Sequence, residues 1–457
     1  MKKYSLLIVS LFLSLAAFAQ VKKGSVLIKN GTVITITNGI LENTDVLIED
    51  GIISKIGKDL KAKKEMKTID ATGQFVMPGI IDAHSHIALT TVNEWTSPVT
   101  ADVWVGDALD PLDINIYQAL AGGVTISHAM HGSANVIGGQ NETIKHRWGV
   151  TDPELIRMEG APRTIKCALG ENPTRVHGRG FRVRPGSRMG VEEVFRESFS
   201  LALEYQEAWK KYEADKASGV RSLAPEYNYR LQTLVDVIEG EVMIHCHSYR
   251  ADEILMLMNV CKDFGIDKIC FQHVNEGFKV APELAEFGAM ASVFADWWAY
   301  KFEVYYSTAF NAAILSKNGV ITSINSDSGE LIRHLYHEAG KTQRYGGLTD
   351  EEALKLITIN PAIQLGIDKK VGSLEEGKQG DVVIFNAHPL SVYAIPQKTL
   401  VDGVVYFDIE NDADDMRIFA DPEQVVEEPV FANDHDHDSC MEGAEQAFQF
   451  LFMGKSK

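Results

Sequence analysis

Four apolar, β-rich runs of this chain end in histidine or aspartate, residue types that hold divalent metal ions. Residues 76–86 pass through Val76, Ile80 and Ile81 into His84 and His86, and side chains two apart on a strand share a face. Residues 242–247 end in His245, Cys246 and His247, residues 268–273 in His273, and residues 320–327 in Asp327. A lone His-x-His triplet carries little weight, so the case rests on its companions. In a parallel barrel the C-terminal strand ends share one rim, where these histidines and Asp327 would surround a common point. Imidazole nitrogens with an oxygen ligand suit zinc or a similar transition metal.

Strands have to carry these residues, and the chain supplies them in alternation with helical stretches. Apolar runs at residues 122–129, 165–169, 242–247, 268–273, 290–295 and 320–325 argue βαβ units, hence an α/β fold. The form expected is a (β/α)8 TIM-like barrel over residues 78–368. Thr349 and Glu352 make a capping box before an apolar-periodic run that Asn360-Pro361 interrupts. Residues 192–216 are charged at helical spacing and read as a solvated surface helix. Short β runs at 25–29, 32–35 and 45–53 are separated by the hairpin signals Asn30-Gly31, Asn38-Gly39 and Asp50-Gly51, and the same texture returns at 380–385 and 401–406. A small β-sandwich domain is therefore expected from both terminal segments, residues 20–77 plus 369–410.

At 457 residues, 45% hydrophobic and 23% charged, the chain is neither disordered nor a small disulfide scaffold. Its net charge is 44 − 63 = −19, and residues 408–438 hold twelve acids against one base, Arg417. The imbalance belongs largely to an acidic C-terminal tail, residues 411–457, and the remainder excludes a nucleic-acid footprint. The His/Asp alternation at 434–438 lacks a scaffold and reads as solvated, with adventitious metal affinity only. Residues 1–19 carry Lys2 and Lys3, an apolar run and Ala17-Phe18-Ala19, the pattern of a cleaved secretory signal. An exported protein, periplasmic or extracellular, without stable membrane insertion after cleavage, is expected. Five cysteines, an odd count with Cys167, Cys246 and Cys270 inside apolar runs, imply no disulfide framework.

From about Gly24 to Asp408 the chain resembles the amidohydrolase superfamily, and within it an imidazolonepropionase-like branch of secreted bacterial proteins. The resemblance is carried by Pro78-Gly79 with Asp82-x-His84-x-His86, residues 168–173, Arg250-Ala251-Asp252, Ser326-Asp327-Ser328, Asn360-Pro361-Ala362 and residues 372–381. It implies a divalent metal, zinc above all, at one or two ions per chain. The ligands implied are His84 and His86 from the first strand, a histidine from the fifth, His273 from the sixth and Asp327 from the eighth. On the fifth strand the register favours His247, with His245 two residues deeper as the alternative. Two-metal members add a carboxylated lysine or a glutamate as a bridge, and both residue types stand here on one strand. A place at the rim favours Glu171 and puts Lys166 deeper in the barrel.

The chemistry implied is hydrolysis of an amide or peptide-like C–N bond by metal-activated hydroxide, with Asp327 as the catalytic acid–base. No Gly-x-Ser-x-Gly elbow proposes a nucleophilic serine instead. For the substrate, Asn135 and Gln140 on a Gly-rich loop, Arg175 and His177 after Glu171, and Arg250 after His247 are the candidate contacts. Tyr249 could line the same mouth, while Trp297-Trp298 reads as packing. The arginines would suit a substrate carboxylate, hence a dipeptide or N-acyl amino acid. A deaminase, a cyclic-amide hydrolase or a non-catalytic small-molecule-binding barrel are the alternatives, and a homo-oligomer stays open.

Overall fold

The structure, a computed structural model, describes residues 21–298, 300–411 and 415–417. The expected signal segment and nearly all of the acidic tail lie outside the described residues.

Both terminal segments meet in one eight-stranded sheet. Its strands are β1 (Val26–Ile34), β2 (Ile40–Glu49), β3 (Ile52–Gly57), β4 (Lys67–Asp70) and β5 (Phe75–Pro78), joined far along the chain by β15 (Val382–Phe385), β16 (Pro396–Val401) and β17 (Val404–Asp408). The seam is the antiparallel pairing of β5 with β15, Val76 opposite Ile384, and Val26, Ile28, Val46, Ile48, Val76, Val382 and Leu400 form its apolar interior. Asp50-Gly51 does turn β2 into β3, both residues taking positive φ. Asn30-Gly31 does not turn the chain. It is a bulge inside the continuous β1, where a Cβ on Gly31 would stand 2.7 Å from Val76 Cγ2.

The barrel is of the TIM type. Its strands are β6 (Ile80–Ser85), β7 (Val124–Ala129), β8 (Ile137–Gln140), β9 (Glu142–Lys145), β10 (Arg163–Ala168), β11 (Val242–Ser248), β12 (Ile269–His273), β13 (Met290–Val293) and β14 (Thr322–Ile324). β6 pairs with β7, and β10 through β14 pair in succession, all parallel. The place between β7 and β10 is taken by β8 and β9, which run antiparallel to their neighbours. They are one strand bent at Asn141, whose Oδ1 accepts from His131 N (3.0 Å) and whose Nδ2 donates to Thr164 Oγ1 (3.1 Å). At the closing edge Asp327 N donates to the His84 carbonyl (3.0 Å) and Ser326 N to Asp82 Oδ1 (3.1 Å).

The helix read as solvated spans Arg188–Ala217, and one face of it packs Val194, Phe195, Phe199 and Ala202 into the barrel's outer core. The capping box at Thr349 and Glu352 is present. Among the described residues Cys167, Cys246, Cys261 and Cys270 are free and buried, and no helix is long and apolar enough to cross a membrane.

Candidate metal centre

Strand geometry aims the four strand ends inward. His84 ends inside β6 with its side chain fully buried, and its Nε2 lies 3.5 Å from Asp327 Oδ1. His86 Nε2 lies 3.2 Å from the same oxygen, and His273 Nε2 lies 3.7 Å from Asp327 Oδ2. Two of these residues adopt strained left-handed backbone, His273 at φ 68° and Asp327 at φ 46°, a cost that packed structure sustains mostly at functional sites.

His247 stands beside His273, ring centroids 4.7 Å apart, with Nδ1 3.0 Å from Ser133 Oγ. His245 lies deeper, its ring against His128 at 4.5 Å. His247 Nε2 and both ring nitrogens of His273 are buried without hydrogen-bond partners. Each such orphan costs about 1–3 kcal/mol. A cation accepting one lone pair from each ring removes that cost at one nitrogen of His247 and one of His273, so the residues present fit a divalent metal.

Electrostatics agrees with that donor set. Burial, then the neighbouring Lys166, holds the His84 imidazole well below its usual range, and burial takes His273 down to about 3 against the pull of Asp327. These rings are neutral at physiological pH, as ligands must be. Burial alone would raise the Asp327 carboxyl, but His84, His86 and His273 outweigh it and hold it ionised well below the ordinary carboxylate value.

The structure places the two bridging candidates differently. Lys166, fully buried on β10, extends its Nζ to 3.1 Å from His84 Nε2. Glu171 is not brought to this cluster. After β10 the chain turns at Gly170 (φ 77°), where a Cβ would collide with Glu303 Oε1 at 2.6 Å, and Glu171 opens a short helix Glu171–Pro173. Its carboxylate is 28% exposed and 3.9 Å from Arg175 Nη1. Reading position along the strand ignored reach: a long lysine side chain from lower on the strand rises to the rim.

The substrate candidates divide. Gln140 lies at the other end of the barrel, its Oε1 accepting from Arg163 Nε (3.1 Å) and Nη2 (2.8 Å) at the start of β10, because β8 runs antiparallel. Asn135 is committed to a loop: its Nδ2 donates to the Glu94 and Ser97 carbonyls, each at 2.7 Å. Arg250 is spent on a two-pronged pair with Asp252, 2.9 Å at both oxygens. Arg175 and His177 do lie on the turn after β10, within the π-helical segment Thr174–Phe181 that carries His177 buried against Phe181.

Tyr249, read from the sequence as lining the mouth, is joined beside the cluster by Tyr300 and Lys301, which the sequence reading passed over. Tyr249 stacks on His273, ring centroids 5.5 Å apart, and accepts from the Tyr300 hydroxyl at 2.8 Å. Buried Lys301 places Nζ 4.3 Å over the Tyr249 ring and donates to Asn172 Oδ1 (3.1 Å). Trp297 stacks on Phe294 at 4.3 Å, as packing, whereas Trp298 is half exposed. Arg188, at the start of the helix Arg188–Ala217, pairs with both Glu253 and Glu303.

Burial, opposed by Arg188, moves Glu253 up to about 7. Its folded pKa exceeds the unfolded one, so its contribution is full below about pH 4 and is lost as pH rises through about 7. Glu253→Gln keeps the Arg188 contact without ionising. Its melting temperature relative to wild type is therefore expected to rise between pH 5 and pH 8, measured by thermal unfolding, and a constant difference would refute a buried, protonated Glu253.

Comparison with known proteins comes to the same place. Residues 303–418 match the model of the amidohydrolase family. The amidohydrolase tasK of Hapsidospora irregularis is 32% identical over 398 residues, 80% of this chain, and the chain spans only 40% of that curated relative's length. A crystal structure of an amidohydrolase from Thermotoga maritima is 32% identical with a TM-score of 0.77, covering 84% of this chain and 100% of its own. A zinc-bound adenosine deaminase structure from Xanthomonas campestris shares the fold at 15% identity and a TM-score of 0.51, covering 93% and 97% of the two chains.

Proposed function

The chain belongs to the amidohydrolase family, and on that premise we propose that it is a divalent-metal-dependent hydrolase of a C–N bond in a small amide or peptide-like molecule. The observation that carries this reading is the convergence of His84, His273 and Asp327, with ligand atoms all within 4.8 Å of one another, beside buried nitrogens that have no other partner. His84, His86, His247, His273 and Asp327 would hold the metal, with Lys166, carboxylated by carbon dioxide, as the bridge in place of Glu171. Zinc is the ion we favour, because the donors are mostly imidazole. When bound, such an ion supplies Lewis acidity at the scissile carbonyl and a water acidic enough to attack at neutral pH.

The chain's own groups do the rest. Asp327, held ionised by its three histidines, accepts the proton of the attacking water and hands it to the leaving nitrogen. Tyr249 and Lys301 wall the mouth next to His273, and with Arg175 they bias it toward a substrate bearing a carboxylate, as a dipeptide or N-acyl amino acid does. We read residues 1–19 as a signal that exports the protein, and we retain the imidazolonepropionase-like branch as the nearest subgroup.

The test is metal per chain, after purification without chelators, together with hydrolysis of dipeptides and N-acyl amino acids. Two zinc ions and hydrolysis are expected, falling to one ion in Lys166→Met. A protein that retains no metal and cleaves none of these substrates would overturn the reading. Recovery of the protein only in the cytoplasmic fraction would overturn export.

A further inference from the structure

Behind the metal centre a single buried amide touches two histidines. Gln272 lies on β12 next to His273, fully buried, with Oε1 3.1 Å from His84 Nδ1 and Nε2 3.0 Å from His245 Nδ1. We infer that Gln272 is a positioning residue that sets where the proton sits on both rings, making His84 a ligand and His245 a non-ligand. The inference rests on the metal-site reading above.

A glutamine amide has an acceptor end and a donor end, so it cannot serve the two rings alike. Each neutral imidazole carries one N–H. Oε1 requires that His84 present its N–H at Nδ1, which leaves the lone pair on Nε2, the atom facing Asp327 and Lys166. Nε2 of the amide requires a lone pair at His245 Nδ1, which leaves that ring's proton on Nε2 and deprives it of a free donor pair there.

Two independent contacts fix which way the amide points. Lys166 Nζ, a donor only, lies 3.1 Å from His84 Nε2, nearer than the Asp327 oxygen at 3.5 Å, so the closer neighbour of that atom calls for a lone pair. Turning the amide over would put an N–H at His84 Nε2 against the lysine donors. The amide nitrogen also lies 3.5 Å from Cys270 Sγ, a weak acceptor. The second β6 histidine is oriented by a different group: His86 Nδ1 donates to the Met130 carbonyl at 2.8 Å, which turns its Nε2 toward Asp327. Both β6 histidines thus present Nε2 to Asp327, and on β11 the amide excludes His245 in favour of His247.

The experiment uses the full chain with zinc alone. In apoprotein labelled with ¹⁵N-histidine, two-bond ¹H–¹⁵N spectra are expected to show His84 protonated on Nδ1 and His245 on Nε2, the peaks assigned with His84→Ala and His245→Ala. Gln272→Met removes both contacts and is expected to weaken zinc binding about 10- to 100-fold in chelator competition. Gln272→Glu keeps an acceptor for His84, so most of that loss in zinc affinity should be recovered. Its carboxylate cannot donate, so His245 should move its proton to Nδ1. Wild-type apoprotein with His84 protonated on Nε2, or Gln272→Met binding zinc as wild type does, would overturn the inference. Wild-type protein that binds no zinc would overturn the site reading instead, and the apoprotein spectra would still decide the role of Gln272.

Discussion

Asp327→Asn is expected to lower kcat by about 10²–10⁴-fold, the usual worth of a positioned proton-transfer group, while the protein stays folded. Asparagine has the same shape and tolerates the positive φ of 46° at this position, so the backbone bond from residue 327 N to the His84 carbonyl survives. What is lost is charge. Three imidazoles within 3.7 Å keep the Asp327 carboxyl ionised, and an amide neither takes up a proton at neutral pH nor offsets a cation. Steady-state hydrolysis, zinc content and thermal unfolding should be measured side by side. A fall in turnover larger than the fall in zinc occupancy is expected, and near wild-type turnover would remove Asp327 from the chemistry.

The second large effect concerns stability, at the join between barrel and sheet. Lys145, at the end of β9 and wholly buried, places Nζ 3.0 Å from Asp381 and 2.5 Å from Asp402. Arg147 Nε holds the other Asp402 oxygen at 2.8 Å. Burial alone would raise the Asp402 carboxyl, but Lys145 and Arg147 hold it below the ordinary value. Asp402→Asn keeps shape and backbone, which stands at φ 49°, yet leaves two buried cations short of an anion. Breaking such a buried cluster typically costs about 3–5 kcal/mol. Urea unfolding should show that loss, and the double variant Lys145→Met, Asp402→Asn should recover part of it because one buried cation that had lost an anion partner is gone. Because the folded pKa of Asp402 is depressed, its stabilisation is present above the unfolded value near 4 and fades as pH falls below it. A loss under about 1 kcal/mol at pH 7 would mean that water or rearrangement satisfies the cations.

The local part of this protein could be read from residue order. Alternation along a strand put His84 with His86 and His245 with His247, whatever the rest of the chain does, and a capping box at Thr349 needs only neighbours three residues apart. The terminal β segments were legible for the same reason, although Asn30-Gly31 has the composition of a turn and became a bulge once Val76 packed against it. Other questions were decided between residues far apart in sequence. Position on β10 favoured Glu171, but the turn at Gly170 carries that carboxylate off while the longer Lys166 reaches His84. Gln140 was assigned to the mouth on the premise that every strand points the same way, and the antiparallel course of β8 takes it to Arg163 at the far end. Asn135 and Arg250 were chosen for polarity, which does not tell that the Asn135 amide nitrogen donates to the Glu94 and Ser97 carbonyls or that Arg250 pairs with Asp252. The choice between His245 and His247 falls to Gln272, an amide 188 residues from His84 in the chain and 3.1 Å from it in space. Sequence spacing determines which way a side chain points along its own strand. Which lone pair or proton it meets there is a property of the neighbouring strands, and only the closed barrel brings those together.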